Sequence, residues 1–121
     1  MKTILIVEDQ AEIRELIRLT LAFDGYDLHE AESGAQGLAL AERLQPDLVM
    51  LDVMLPGGMD GVALCRALRS HPALSATPVV MLSAKSQPSD VQAGRDAGAQ
   101  AYLTKPFSPL ELMDVVHQAL R

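Results

Sequence analysis

Three short runs of apolar residues place the strongest constraint on the fold of this chain. They are residues 4–7 (ILIV), 48–51 (LVML) and 79–82 (VVML). Runs that are apolar at every position, rather than at every second one, are typical of strands buried on both faces of a sheet. The sequence therefore predicts a sheet whose central strands are covered on both sides.

Segments with helical spacing of apolar residues separate these runs, and two weaker strand segments complete the pattern. The expected helices span residues 11–23, 34–44, 61–69, 88–98 and 109–120, and the weaker strands span 26–31 and 101–103. Strands that alternate with helices through short connections indicate a parallel sheet with helices on both faces. We therefore predict a doubly wound α/β fold with five strands and five helices.

Composition narrows the class of protein. The 121 residues form one expected domain, residues 1–121, and 16 acidic against 10 basic side chains give a net charge of −6. No cluster of Lys and Arg is present to attract a phosphate backbone, so direct binding of nucleic acid by this segment is not expected. Cys65 cannot form an internal disulfide, and no apolar stretch of about 18 residues predicts a membrane span. A cytoplasmic protein is expected.

Charged and hydroxyl side chains stand where four of the predicted strands end. These are Glu8 and Asp9 after the first strand, Asp52 after the third, Ser83 after the fourth and Lys105 after the fifth. In doubly wound sheets, functional groups collect at the carboxyl ends of the strands. The five side chains are therefore expected to lie close together.

Each of these residues also has an explanation that involves no function. Asp9 is suited to cap the first helix, with Glu12 completing a capping box. Ser83 is a common turn residue, and Lys105 is equally typical of a solvated loop. Asp52 is harder to explain, because a carboxylate at the end of a doubly buried strand costs several kcal/mol unless a partner compensates it. The coincidence of all five favours a functional site.

Carboxylates brought together in this way repel one another, and a bound cation relieves the repulsion. Oxygen ligands suit Mg²⁺, with Mn²⁺ as an alternative. A carboxylate is also able to attack a phosphoryl group and form an acyl phosphate. A metal, an ammonium group such as Lys105 and a hydroxyl such as Ser83 would neutralise charge on the phosphoryl oxygens during that transfer.

Four segments in this order closely resemble the receiver domain of bacterial two-component response regulators. They are VED (7–9), MLDVMLPGGMDG (50–61), VVMLSA (79–84) and GAQAYLTKPF (98–107). The resemblance covers essentially the whole chain and implies the flavodoxin-like (βα)5 fold of the chemotaxis response regulator. It implies a signalling phosphoacceptor that catalyses its own phosphorylation and dephosphorylation rather than an enzyme acting on an outside substrate.

The resemblance also implies roles for individual residues. Asp52 would accept a phosphoryl group from the histidine of a sensor kinase or phosphotransfer protein. Asp9 would ligate Mg²⁺ directly, Glu8 would act through water, and the backbone carbonyl of Met54 would supply a further ligand. Lys105 would pair with the phosphoryl group.

Further positions carry the switching features of the family. Ser83 would bond the phosphoryl oxygen, Tyr102 would rotate with it, and the peptide before Pro106 would be cis. Lys85 would either approach the phosphoryl group or remain solvated.

The chain departs from the common pattern at three places. Glu8 stands where Asp is frequent, Ser83 replaces the commoner Thr, and Gly57 and Gly58 stand where one residue is usual. The path of the loop after Asp52 is therefore left open.

The expected output surface is the fourth helix, the fifth strand and the fifth helix. The fourth helix has Gly94 in its interior and few apolar residues, so it is expected to be lightly packed and able to shift. The implied partners are a kinase and an output domain or partner protein, and a phosphorylation-linked homodimer is an open alternative.

Two other functions compete with this one. A pseudo-receiver would only mediate protein contacts, without phosphorylation. An aspartyl-phosphate phosphatase would carry a second Asp two residues after the nucleophile, where this chain has Met54.

Overall fold

A computed structural model describes residues 1–121. One parallel sheet of five strands is covered by helices on both faces, as the sequence predicts. The strands are β1 (Thr3–Val7), β2 (Asp27–Ala31), β3 (Leu48–Asp52), β4 (Val79–Ser83) and β5 (Ala101–Thr104). The helices are α1 (Ala11–Leu21), α2 (Gly34–Leu44), α3 (Gly61–Ser70), α4 (Pro88–Asp96) and α5 (Pro109–Ala119).

The strand order in the sheet is β2-β1-β3-β4-β5, and every neighbouring pair is parallel. The order reverses at β1, so a crevice forms at the carboxyl ends of β1 and β3. All residues of β3 and β4 are buried, as the uninterrupted apolar runs predict.

Alternate residues of the strands feed two separate cores. One core packs the sheet against α2 and α3 through residues such as Leu51, Leu64 and Leu68. The other packs it against α1 and α5 through residues such as Met50 and Ile17. Cys65 lies in the first core, as expected of a small apolar side chain. No helix is both long and apolar enough to cross a membrane.

The observed element ends differ from the predicted ones by a few residues. The first helix is predicted to reach residue 23 but ends at Leu21, and a 3-10 turn over Ala22–Asp24 follows it. The turn stops at Gly25, which adopts a left-handed φ of 72°. The fourth helix ends at Asp96 rather than residue 98, because Gly98 has a φ of 105° that no helix accommodates.

Gly94 has a packing role that its helix position alone does not reveal. It is the buried residue of α4. A Cβ at this position would lie 2.8 Å from Sδ of Met81 and 3.1 Å from Cδ2 of Tyr102. The absence of a side chain therefore lets α4 approach β4 and β5 closely.

Candidate functional site

The carboxyl ends of β1, β3, β4 and β5 form one edge of the sheet. Val7 pairs with Leu51, and Ser83 pairs with Thr104, so these strands end at nearly the same level. The residues that follow the strand ends are consequently neighbours in space. The structure brings together the side chains that the sequence predicts to share a site.

Three carboxylates form the acidic part of the site. One oxygen each from Glu8, Asp9 and Asp52 lies within 4.8 Å of the others. Glu8 is fully buried and Asp52 is 4% exposed, whereas Asp9 faces solvent. This oxygen-rich set with one open side matches the donors that Mg²⁺ prefers, since Mg²⁺ commonly keeps several waters and binds few carboxylates.

Lys105 reaches into the same cluster from the end of β5. Its Nζ atom donates to Oε1 of Glu8 at 2.6 Å and lies 3.4 Å from Oδ2 of Asp52. Its side chain is only 13% exposed, so the alternative of a solvated loop lysine is wrong. The peptide between Lys105 and Pro106 is cis, as the resemblance implies.

Burial and neighbouring charges shift the pKa of Glu8 in opposite directions. Its pKa is raised from the ordinary value of 4.5 to about 7, chiefly because burial disfavours the charged form. The hydrogen bond from Lys105 lowers the pKa, and the negative charge of Asp52 raises it. Glu8 is therefore partly protonated near neutral pH when only Lys105 balances the two buried carboxylates.

The backbone around Asp52 fixes the direction of its carboxylate. Oδ1 of Asp52 accepts a hydrogen bond from the Met54 amide at 3.2 Å. The first residue of α3, Gly61, lies directly against the Asp52 carbonyl, and a Cβ on Gly61 would collide with that oxygen. Met54 itself is 59% exposed, and its backbone amide is the group that bonds the carboxylate.

The loop after Asp52 has a defined path despite its two glycines. Gly57 and Gly58 both adopt left-handed φ angles, 88° and 86°, which explains why glycine suits both positions. Leu55 is buried before them, and Met59 packs against Gly34 at the start of α2 after them. The extra residue therefore enlarges an exposed turn between two anchored side chains.

Ser83, Lys85 and Tyr102 are linked through the loop after β4. The buried Ser83 hydroxyl accepts the Lys85 amide at 3.0 Å, so Ser83 does shape a turn. The Tyr102 hydroxyl donates to the Lys85 carbonyl at 2.9 Å. A cleft of about 190 Å³ lies beside them, and its lining includes Met54, Lys85 and Tyr102.

Asp9 does not cap the first helix, so the capping-box explanation is wrong. Gln10 occupies the N-cap position, and no side chain caps this helix. The absence of a cap leaves the Asp9 carboxylate free to face the cluster.

Arg14 is a residue at this edge that the sequence reasoning missed. Its Nη1 atom donates to the backbone carbonyl of Glu8 at 2.7 Å. Arg14 precedes Ile17 and Leu21, the buried residues of α1, at helical spacing. A charged residue on the apolar face of a helix is the signal that would have identified it.

Comparison with known proteins assigns the family. The response regulator receiver domain matches residues 4–117, so this chain belongs to the response regulator receiver family. It is 45% identical over 121 residues to the DNA-binding dual master transcriptional regulator RpaA of Synechocystis sp., covering 100% of this chain and 50% of RpaA. The chain spans about half the length of the curated relatives it matches.

Solved structures agree with this assignment. The chemotaxis response regulator CheY4 of Vibrio cholerae is 32% identical with a TM-score of 0.93, covering 99% of both chains. The BeF3-activated N-terminal receiver domain of RstA from Klebsiella pneumoniae is 33% identical with a TM-score of 0.89, covering 98% of both chains. The flavodoxin-like arrangement of the chemotaxis response regulator is therefore the fold of this chain.

Proposed function

We propose that this chain is a phosphorylation-dependent receiver in which Asp52 accepts a phosphoryl group from a histidine of a sensor kinase or phosphotransfer protein. The observation that carries the proposal is the placement of Asp52. A nearly buried carboxylate ends the central strand, with the Lys105 ammonium 3.4 Å away and two further carboxylates beside it. A carboxylate with only a structural role would gain nothing from two neighbouring carboxylates, because their negative charges repel it.

Mg²⁺ is the cofactor that the donor set supports, with Mn²⁺ as an alternative. Asp9, Asp52 and the Met54 carbonyl would hold the ion, and it would neutralise charge on the phosphoryl oxygens. Glu8 would act through water, because its Oε1 atom is already bonded to Lys105 at 2.6 Å. A cation would also offset the repulsion among the three carboxylates.

In the transfer step, an Asp52 carboxylate oxygen attacks phosphorus and forms a new P–O bond. The P–N bond to the donor histidine breaks, and its electron pair stays on the imidazole nitrogen. The Met54 amide orients Oδ1 of Asp52, and Lys105 pairs with the added charge. These groups are in place beforehand, so little reorganisation is needed.

Phosphorylation would change the hydrogen bonding of Ser83. The acyl phosphate offers strong acceptor oxygens, and the Ser83 hydroxyl would turn from the Lys85 amide to donate to one of them. The Lys85 loop would follow, and Tyr102 would rotate as its bond to the Lys85 carbonyl breaks. The changed surface would comprise α4, β5 and α5.

The relatives of this chain support a proposal for what the phosphorylated receiver controls. RpaA and MtrA are described as DNA-binding regulators, and this chain matches about half of each. We propose that this chain acts as one receiver domain over residues 1–121, in the cytoplasm. It would control an output domain or a partner protein, and self-association through α4, β5 and α5 is one route to that control.

Phosphate incorporation from acetyl phosphate and Mg²⁺ tests the proposal. Intact mass measurement should show one phosphoryl group that hydroxylamine removes, since hydroxylamine cleaves acyl phosphates. Asp52→Asn should abolish the modification, and Asp9→Asn should raise the Mg²⁺ concentration that it requires. Asp114→Asn, which changes an exposed carboxylate on α5, should leave it unchanged. Wild-type protein that gains no phosphate would instead favour a receiver that acts only through protein contacts.

A further inference from the structure

Arg14 ties four backbone segments together beside the acidic cluster. From α1, its Nη1 atom donates to the Glu8 carbonyl at 2.7 Å, its Nε atom to Glu30 at 3.1 Å and its Nη2 atom to Glu32 at 3.3 Å. Its side chain is only 13% exposed. Arg14 therefore connects the end of β1, strand β2 and the loop that follows β2.

The bond to the Glu8 carbonyl distinguishes Arg14 from an ordinary surface ion pair. Exposed ion pairs contribute little to stability, because water and salt screen the charges. Here the guanidinium holds the peptide between Glu8 and Asp9, whose side chains both belong to the cluster. A planar fork with several N–H groups is able to bond three acceptors at once, and a lysine ammonium on a flexible stem does not reproduce that geometry.

Other hydrogen bonds hold the side chain of Glu8 and the backbone on either side of it, but none of them bonds the Glu8 carbonyl, and Lys105 bonds only the Glu8 carboxylate. The Glu8 amide donates to Ala31 of β2 at 3.0 Å, and the Gln10 amide donates to Oε2 of Glu8 at 3.2 Å. The N-terminus of α1 has no side-chain cap. Because no side chain caps this helix, the bond from Arg14 to the Glu8 carbonyl is the side-chain contact from the helix that holds the backbone of the β1–α1 turn.

We infer that Arg14 is a positioning residue for the divalent cation, because it fixes the β1–α1 turn that presents Glu8 and Asp9. This inference rests on the proposed function, since it assigns a supporting residue to the same site. Partners that orient metal ligands typically change metal affinity by about 10-fold to 100-fold when they are removed. The expected loss is at the lower end of that range, because Arg14 acts through the backbone.

Whether replacement of Arg14 strengthens or weakens Mg²⁺ binding distinguishes a positioning role from a purely electrostatic one. Removing a positive charge near an acidic cluster should strengthen cation binding if charge alone matters. Loss of positioning should weaken it. Arg14→Lys keeps the positive charge but removes the planar guanidinium with its several N–H donors. Arg14→Met removes both the charge and the guanidinium.

Arg18 provides a matched control. It lies one turn further along α1 and bonds the same Glu30 at 2.8 Å, but it makes no bond to Glu8. Arg18→Lys should leave cation binding unchanged. A difference between the two Lys variants isolates the bond to the Glu8 carbonyl.

The test is a calorimetric Mg²⁺ titration of wild type, Arg14→Lys, Arg14→Met and Arg18→Lys, with urea unfolding of each variant to confirm a folded state. We expect both Arg14 variants to raise the Mg²⁺ dissociation constant by on the order of 10-fold. In the metal-free Arg14→Lys protein, the Gln10 amide should exchange with solvent faster. Phosphorylation of this variant by acetyl phosphate should recover at saturating Mg²⁺, which a general loss of structure would not allow.

Two results would count against these conclusions in different ways. Wild-type affinity in Arg14→Lys, or tighter binding in Arg14→Met, would overturn the role of Arg14 alone. Absence of Mg²⁺ binding by the wild-type protein would overturn the proposed cation site itself.

Discussion

Lys105 lies closer to Glu8 than to Asp52, with its Nζ atom 2.6 Å from Glu8 Oε1 and 3.4 Å from Asp52 Oδ2. The ammonium is therefore shared between two buried carboxylates, and its shorter bond is to the one that is not the proposed phosphoacceptor. The length of the Glu8 side chain, one methylene longer than Asp, allows this contact. Asp52 consequently has the longer of the two contacts with Lys105, and its other oxygen, Oδ1, accepts the hydrogen bond from the Met54 amide.

The raised pKa of Glu8 predicts how stability depends on pH in metal-free protein. Below pH 4.5, Glu8 is protonated in both the folded and the unfolded state, so it contributes no slope. Between 4.5 and about 7 the unfolded chain loses this proton while the folded protein retains it, so the free energy of unfolding falls as pH rises. Above about 7 both states are ionised, and the fall stops after on the order of 1–3 kcal/mol.

Urea unfolding in EDTA across this pH range measures the effect. Other groups also titrate, so the comparison is with Glu8→Gln, which keeps the shape of the side chain and removes its titration. The difference in unfolding free energy between the two proteins should change from about pH 5 to about pH 8 and stay constant above. Parallel profiles would contradict the raised pKa.

Gly61→Ala should displace the backbone that carries Asp52. The new Cβ would collide with the Asp52 carbonyl and lie 2.7 Å from Cα of Val53, and neither backbone atom is able to move freely. We expect a loss of more than about 2 kcal/mol in the free energy of unfolding. Gly58→Ala is the matched comparison, since it meets no atom within 4 Å and costs only about 1 kcal/mol through its left-handed φ. Equal losses in the two variants would argue against the close approach of Gly61.

Arg69→Met should loosen the end of α4. The Arg69 guanidinium donates to the carbonyls of Gly98 at 2.7 Å and Thr77 at 2.7 Å, joining α3 to the loops on either side of β4 and α4. Its removal leaves these carbonyls without that donor, so we expect a loss of about 2 kcal/mol in unfolding free energy. Arg66→Met, on the exposed face of the same helix, should change it little. Faster amide exchange near Gly98 only in the Arg69 variant would identify the contact as the cause.

The fold was predictable because its strands carry unambiguous patterns. Fully buried strands β3 and β4 appear in the sequence as unbroken apolar runs, and their ends locate Asp52 and Ser83. The parallel arrangement then places residues that are distant in sequence at one edge of the sheet. Lys105 and Glu8 are 97 residues apart, yet their positions at the carboxyl ends of parallel strands were enough to predict their proximity.

Contacts made by side chains to backbone carbonyls were not predictable in the same way. Arg14 and Arg69 both bond carbonyls in other segments, and no local pattern specifies which carbonyl a long flexible side chain reaches. The packing role of Gly94 was also missed. A glycine inside a helix indicates reduced helix stability, and only the positions of Met81 and Tyr102 show that a side chain would not fit there. Asp9 was open to explanation as a cap because local spacing allows it, and the structure instead places Gln10 at the cap.

A mimic of the phosphoryl group should first change the amide of Lys85. This amide donates to the Ser83 hydroxyl at 3.0 Å, and the proposed switch turns that hydroxyl towards the group on Asp52. Beryllofluoride with Mg²⁺ should therefore accelerate exchange of the Lys85 amide and alter exchange across α4 and β5. Hydrogen exchange read by NMR resolves this amide, and α2, on the other side of the site, serves as the internal reference.

Two variants separate the switch from simple binding of the mimic. Asp52→Asn should show no change with beryllofluoride, because the mimic requires the carboxylate. Ser83→Ala removes the acceptor of the Lys85 amide, so exchange there should already be fast without the mimic and should not accelerate further. Near-identical exchange in α4 and β5 of the wild-type protein with and without beryllofluoride would contradict the proposed switch, because the Tyr102 bond to the Lys85 carbonyl couples that loop directly to β5.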